Sequence, residues 1–157
     1  MPINRSTHAY DGDLVVFLIG MRVNKPWHLR SWLQAFLAMP KMLKELSADP
    51  DSGMLGYRLT LEGRGATVIQ YWNSVDKLYA YASKPTSEHR PAWTQFYRAA
   101  HRSPGAVGIW HETFQVSGAE TFYADMGEFG LAKATRRVPI NVSSQRARQR
   151  LDRARTS

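Results

Sequence analysis

Between residues 13 and 116 the chain reads as β-α-β-β-α-(α)-β, and that order predicts an α+β domain with a four-stranded antiparallel sheet and helices on one face. Three observations carry the reading. A β-branched, apolar run at 13–23 is followed at once by a helical pattern; a strand, a tight turn and a second strand occupy 54–72; and a last strand-like run spans 106–116. This is the split βαβ, ferredoxin-like arrangement. Its second sheet face has no helices, and an aromatic-rich bare face is expected to be covered by a second copy, giving a homodimer.

The elements follow in order. Residues 1–12 are polar and read as a loose N-terminal arm. Asp13 to Val23 is nearly continuously apolar, as expected of a strand covered on both faces. Asn24-Lys25-Pro26 predicts a helix start, with Asn as cap and Pro in the first turn. The helix runs to about Ser47 on Trp27, Phe36, Leu37, Leu43 and Leu46, with a kink or break expected at the internal Pro40. Asp49-Pro50-Asp51-Ser52-Gly53 is a turn. Met54–Leu61 and Ala66–Trp72 form a hairpin around Glu62-Gly63-Arg64-Gly65. Ser74 caps a helix to about Ser83, and a second helical stretch runs from Ser87 or Glu88 to His101. Ser103-Pro104-Gly105 precedes the last strand, Ala106 to Val116, and Glu120 to Met126 allows a short extra strand.

Composition bounds the function. A chain of 157 residues suits one domain, expected at 13–130 between the arm and a basic C-terminal tail at 131–157. Cysteine is absent, which excludes disulfides, thiolate metal sites and Cys nucleophiles and fits a reducing cytosol. No signal-peptide pattern is visible, and the longest apolar run, Leu14 to Met21, is far short of the ~20 residues of a membrane-spanning helix. A cytoplasmic protein with no membrane partner is expected. The net charge of +8 is concentrated at the end: seven arginines against Asp152 from residue 136 onward leave +2 for the rest. After a cap at Ser143 or Ser144 the only apolar positions at helical spacing are Ala147, Leu151 and Ala154, so this tail reads as a loosely attached helix or as a disordered arm. Nucleic acid is not the expected partner.

The last strand holds the densest functional chemistry. In Gly108-Ile109-Trp110-His111-Glu112-Thr113-Phe114, His111 shares parity with Ile109 and Thr113, whereas Glu112 shares it with Trp110 and Phe114. Alternation puts His111 and Glu112 on opposite faces, so they do not form an acid–base pair without a bulge. Pairing with an arginine is the expected fate of Glu112.

Several segments together resemble a known family. They are Val16–Asn24, Met39-Pro40-Lys41-Met42-Leu43, Gly56-Tyr57-Arg58, Gln70-Tyr71-Trp72, Glu88-His89-Arg90-Pro91-Ala92-Trp93 and Gly105–Phe114. The resemblance is to the DUF4188, or monooxygenase-like, family of the dimeric α/β-barrel superfamily, and it covers about residues 13–130. It implies a monooxygenase-like oxidoreductase acting on a small aromatic or polyene-type molecule. The superfamily includes cofactor-free antibiotic-biosynthesis monooxygenases, haem-binding enzymes and non-catalytic members, so haem and plain small-molecule binding stand as alternatives.

For the cofactor-free reading, the chemistry needs a base near working pH, donors toward the resulting anion and an apolar cavity. His111 or His89 is the candidate base, with Tyr71 as a further catalytic candidate. Arg22, Arg58 and Tyr57 are candidate anion donors, and Trp72, Trp93 and Trp110 are candidate walls for a flat substrate. In the haem reading, His111 or His89 would be the axial ligand. No metal site is expected, because the five histidines show no paired helical spacing.

Overall fold

The computed structural model describes residues 3–83, 101 and 103–154. Its strands are β1 (Arg5–Ala9), β2 (Leu14–Val23), β3 (Met54–Glu62), β4 (Gly65–Trp72), β5 (Val107–Val116), β6 (Tyr123–Ala124) and β7 (Arg136–Pro139). The helices are α1 (Leu29–Ala48), α2 (Val75–Ser83), α3 (Gly130–Ala134) and α4 (Ala147–Ala154), with a 3₁₀ turn at Val142–Ser144. The main sheet runs β3-β4-β2-β5, antiparallel throughout, which is the strand order of the split βαβ fold.

The two faces of this sheet follow from alternation. Val15, Phe17, Ile19 and Met21 of β2 point with Trp72, Gln70, Val68 and Ala66 of β4 toward the helices. There Val15 and Trp72 pack with Leu46 of α1 and Leu78 of α2, and Phe17, Met54, Val75 and Tyr81 close the cluster. The even-numbered residues of β2 face the other way, where Leu14 and Tyr71 pack against Leu131 of α3. β2 is therefore flanked by a cluster on each side, as its unbroken apolar run requires.

The ends of the chain depart from the sequence reading. Residues 5–9 are not a loose arm: β1 pairs with β7 over Ser6–Ala9 and with β6 over Arg5–Ser6, forming a second, three-stranded sheet. Nor is the arginine-rich end disordered or loosely held. Arg137 Nε donates to Ser6 Oγ at 2.7 Å, and Arg150 is buried, its Nε donating to Glu120 at 2.6 Å and its Nη1 to the carbonyls of Ser144 and Gln145. Beyond Arg136, hydrogen bonds and an ion pair supplement the apolar anchor that Leu131 provides in α3. The cap also differs: Asn141 accepts from the Ser143 amide and closes the 3₁₀ turn reciprocally with Ser144, and α4 begins later, at Ala147.

The α1 start is later than Asn24-Lys25-Pro26 predicts. Those residues form a turn closed by the His28 amide on the Lys25 carbonyl at 3.1 Å, and the helix begins at Leu29 without a side-chain cap. Pro40 does not break it: α1 runs through to Ala48, held down beyond the proline by the buried Leu43 and Leu46. Ser74 does cap α2, its Oγ accepting from the amides of Asp76 and Lys77. The second helical stretch expected from residue 87 or 88 lies, apart from His101, outside the described residues.

The sheet face expected to be bare is covered at one end by the chain itself. α3, Tyr10 and Ala119 close over Leu14, Tyr71 and Val116. Further along, Trp110, Glu112 and Phe114 stay exposed.

Candidate functional site

On the helix-facing side a cleft of about 570 Å³ opens between α1 and the sheet. α1 contributes Pro40, Leu43, Lys44, Ser47 and Ala48, residues spaced so that they share one helix face. The sheet contributes Met21, Ala66, Tyr57 and Leu59. Tyr57 and Leu59 lie opposite Gln70 and Val68 in register, which fixes them on the helix side of the edge strand β3, and both are largely exposed. The lining is dominantly apolar, the composition of a small-molecule site. The Ser47 hydroxyl donates to the Leu43 carbonyl at 2.7 Å, so it is committed within the helix.

His111 faces the same side of the sheet. It sits opposite Ile19 in register, and its ring lies 5.7 Å from that of Phe17. It is exposed and does not line the cleft, which lies toward the opposite sheet edge. Glu112, opposite Leu18, is on the other face, so the two do not meet. Glu112 has no ion-pair partner among the described residues, and Arg90, Arg98 and Arg102 lie outside them.

Tyr71 and Arg58 are brought together, but on the back face. Arg58 lies opposite Ile69, and its guanidinium sits over the Phe129 ring at 5.1 Å, close enough for its charge to act on the Tyr71 phenol. Burial pushes the Tyr71 phenol up from its ordinary range, while the Arg58 charge opposes the shift. Above them Gly130 starts α3 at φ +55°, a left-handed conformation suited to glycine, and a Cβ there would sit 3.6 Å from the Tyr71 hydroxyl and 3.4 Å from that of Tyr123. The Tyr123 hydroxyl in turn accepts from the Ala132 amide at 3.3 Å. This cluster, with Tyr71 and Tyr123 buried and Phe129 exposed at its edge, ties the C-terminal layer to the sheet and meets no described cleft.

The remaining candidates divide. Trp72 is fully buried in the core, its Nε1 donating to Gln70 Oε1 at 2.9 Å, and it is not placed to form a cavity wall. Trp110 lies on the back face across Gly20, where a Cβ would come within 2.6 Å of the indole, so the glycine makes room for the ring. Arg22 and Trp110 border a shallow opening beside the Glu62–Gly65 turn. His89 and Trp93 lie outside the described residues. Lys44 was missed in the sequence; its signal was a charge at the helical spacing of Pro40, Leu43 and Ser47.

A second cavity, of about 430 Å³, lies between β1, β7 and α4. His8 borders it, with Nδ1 2.9 Å from Thr121 Oγ1, and burial lowers its pKa against the opposing pull of Glu120. Arg150 and Arg153 line the same cavity, both already engaged in the C-terminal turn. Among the described residues no group of three His, Asp or Glu side chains is placed to hold a metal ion, and no helix is long and apolar enough to cross a membrane.

Residues 14–131 match the sequence pattern of the family described as Monooxygenase af470-like. The chain belongs to that family. The match supports the monooxygenase-like part of the sequence resemblance, under this description rather than the DUF4188 label. The chain is 30% identical over 140 residues to Monooxygenase af470 of Aspergillus fumigatus, an alignment covering 80% of this chain and 48% of the relative. It thus spans about half the length of that relative. Among solved structures it is similar to SnoaB, a cofactor-independent oxygenase from Streptomyces nogalater (TM-score 0.48, 15% identity, covering 66% of this chain and 93% of the other). It is also similar to a dimeric ferredoxin-like protein of unknown function from Jannaschia sp. (TM-score 0.42, 13% identity, 63% and 97% covered).

Proposed function

We propose that this chain is a monooxygenase-like oxidoreductase that takes a small, flat aromatic or polyene-type substrate on the helix-facing side of its main sheet and works without a cofactor. The observation that carries the reading is the apolar cleft under α1, on the same side of the sheet as His111, in a chain of this family. His111 is the base. It removes a proton from an acidic carbon of the substrate, and the carbanion passes one electron to O2. Superoxide and the substrate radical combine at that carbon to give a peroxide. Loss of water from the peroxide leaves a carbonyl, so a CH2 group and O2 become C=O and H2O. The apolar walls favour charge spread over the ring system, and the imidazolium returns its proton to the departing oxygen.

A working unit of two copies fits the exposed Trp110 and Phe114 on the uncovered part of the back face. A cytoplasmic setting fits the absence of cysteine.

Oxygen uptake with an activated phenol or polyene tests the function. Uptake should be insensitive to chelators and fall by about 10²-fold or more in His111→Ala, the contribution of a general base. Uptake that His111→Ala leaves unchanged would remove the base, and no uptake with substrate bound would leave a non-catalytic binding protein.

A further inference from the structure

Lys44, itself exposed, is the one charged residue among the described residues that line the apolar cleft. It sits on α1 between Leu43 and Ser47, on the helix face turned to β3 and β4, and has no ion-pair partner among the described residues. Ser47 donates its hydroxyl proton within the helix. Tyr57, at the mouth, has a phenol with no hydrogen-bond partner among the described residues, so the described lining offers a ligand one cation and one neutral donor. Among the described residues no acidic side chain lines it to compensate the ammonium.

From this geometry we infer that Lys44 is the specificity-determining residue of the cleft, and that the substrate is a flat apolar body carrying one anionic oxygen group, such as a phenolate, enolate or carboxylate, at the Lys44 end. The inference deepens the proposed function and rests on its reading of the cleft as the substrate site. A single cation selects one negative charge: an uncharged hydrocarbon forfeits the attraction, and a polyanion such as a nucleotide leaves its other charges against apolar walls. In the oxygenase reaction Lys44 would bind the substrate as an anion and lower the cost of the further negative charge that forms when the carbon loses its proton.

Two fluorescent probes with the same aromatic body separate charge from apolar fit: 8-anilinonaphthalene-1-sulfonate, which is anionic, and N-phenyl-1-naphthylamine, which is neutral. Their Kd values are measured by titration on the full chain at low salt. Lys44→Met should weaken the sulfonate about fivefold, the effect of one partly exposed ion pair, and leave the neutral probe unchanged. Lys44→Arg should retain the sulfonate affinity, and 1 M salt should erase the difference between wild type and Lys44→Met. Lys77→Met, which removes an exposed lysine outside the cleft, controls for overall charge and should change neither probe. Ala48→Trp, which fills the cleft from its rim, should weaken both.

Equal sulfonate affinity in wild type and Lys44→Met overturns the inference while the cleft reading survives, provided Ala48→Trp still weakens the neutral probe. If Ala48→Trp weakens neither probe, the cleft is not a ligand site and the location assigned to the substrate falls with the inference.

Discussion

Trp72 offers the sharpest quantitative check, because its burial is complete and it makes one side-chain hydrogen bond. Its indole fills the space between Leu46 of α1, Leu78 of α2 and Val15 of β2, and its Nε1 donates to Gln70 Oε1 at 2.9 Å within the same strand. Trp72→Ala should destabilise the fold by about 3–5 kcal/mol through lost transfer energy and the cavity left behind. About 1 kcal/mol or more is added because the buried Gln70 carbonyl loses its donor. Trp72→Phe keeps most of the packing and loses the bond, so it should cost about 1–2 kcal/mol. Gln70→Leu in the Trp72→Phe background removes the stranded acceptor and should recover part of that cost, giving a coupling of about 1 kcal/mol in the double-mutant cycle. Equilibrium urea unfolding of wild type, Trp72→Ala, Trp72→Phe, Gln70→Leu and the double variant reads these values directly. A Trp72→Phe variant as unstable as Trp72→Ala would refute the division between packing and hydrogen bonding. A Trp72→Ala variant within about 1 kcal/mol of wild type would refute the placement of this ring in the core.

Two further outcomes follow from the back face and the C-terminal layer. Burial raises the Tyr71 phenol, so its contribution to stability is present below pH 10 and is lost as the pH rises from there through the folded-state value, because the unfolded chain gives up the proton first. Tyr71→Phe should therefore show a shallower alkaline loss of stability in urea unfolding than wild type, and an unchanged slope would contradict the assignment. Arg150→Met strands Glu120 and the carbonyls of Ser144 and Gln145, and should cost about 3 kcal/mol while opening the C-terminal layer to limited proteolysis. Protection equal to wild type would show that β7 and α4 hold without it.

The sheet was legible because its strands announce themselves locally. The apolar run at β2, the hairpin turn between β3 and β4 and the Ser74 cap each need only neighbours in sequence, and the order of elements then left one strand arrangement. The second sheet was not legible. β1 and β7 are short, lack clean alternation, and pair residues about 130 positions apart, with arginines where a sequence reading looks for apolar anchors. That hidden layer changed the back face, which the chain itself covers around Tyr71.

The candidate site was legible in part. Parity alone separated His111 from Glu112, and the register bears this out. It also gave Tyr71 and Trp72 opposite faces, but could not tell that Trp72 is sealed by α1 and α2, since that depends on where the helices land. Lys44 was passed over because a lysine on a helix is ordinarily solvated; only the packing of α1 over Tyr57 and Leu59 turns it toward a cleft.

The central claim is that the substrate is oxidised on the helix-facing side of the main sheet. Chelator-insensitive oxygen uptake by Ala48→Trp and Trp110→Ala, compared under identical conditions, tests it most directly, because one change fills the cleft and the other strips an aromatic from the opposite face. The account predicts that Ala48→Trp abolishes uptake and Trp110→Ala retains it; loss in Trp110→Ala with full activity in Ala48→Trp would place the chemistry on the other face and contradict it.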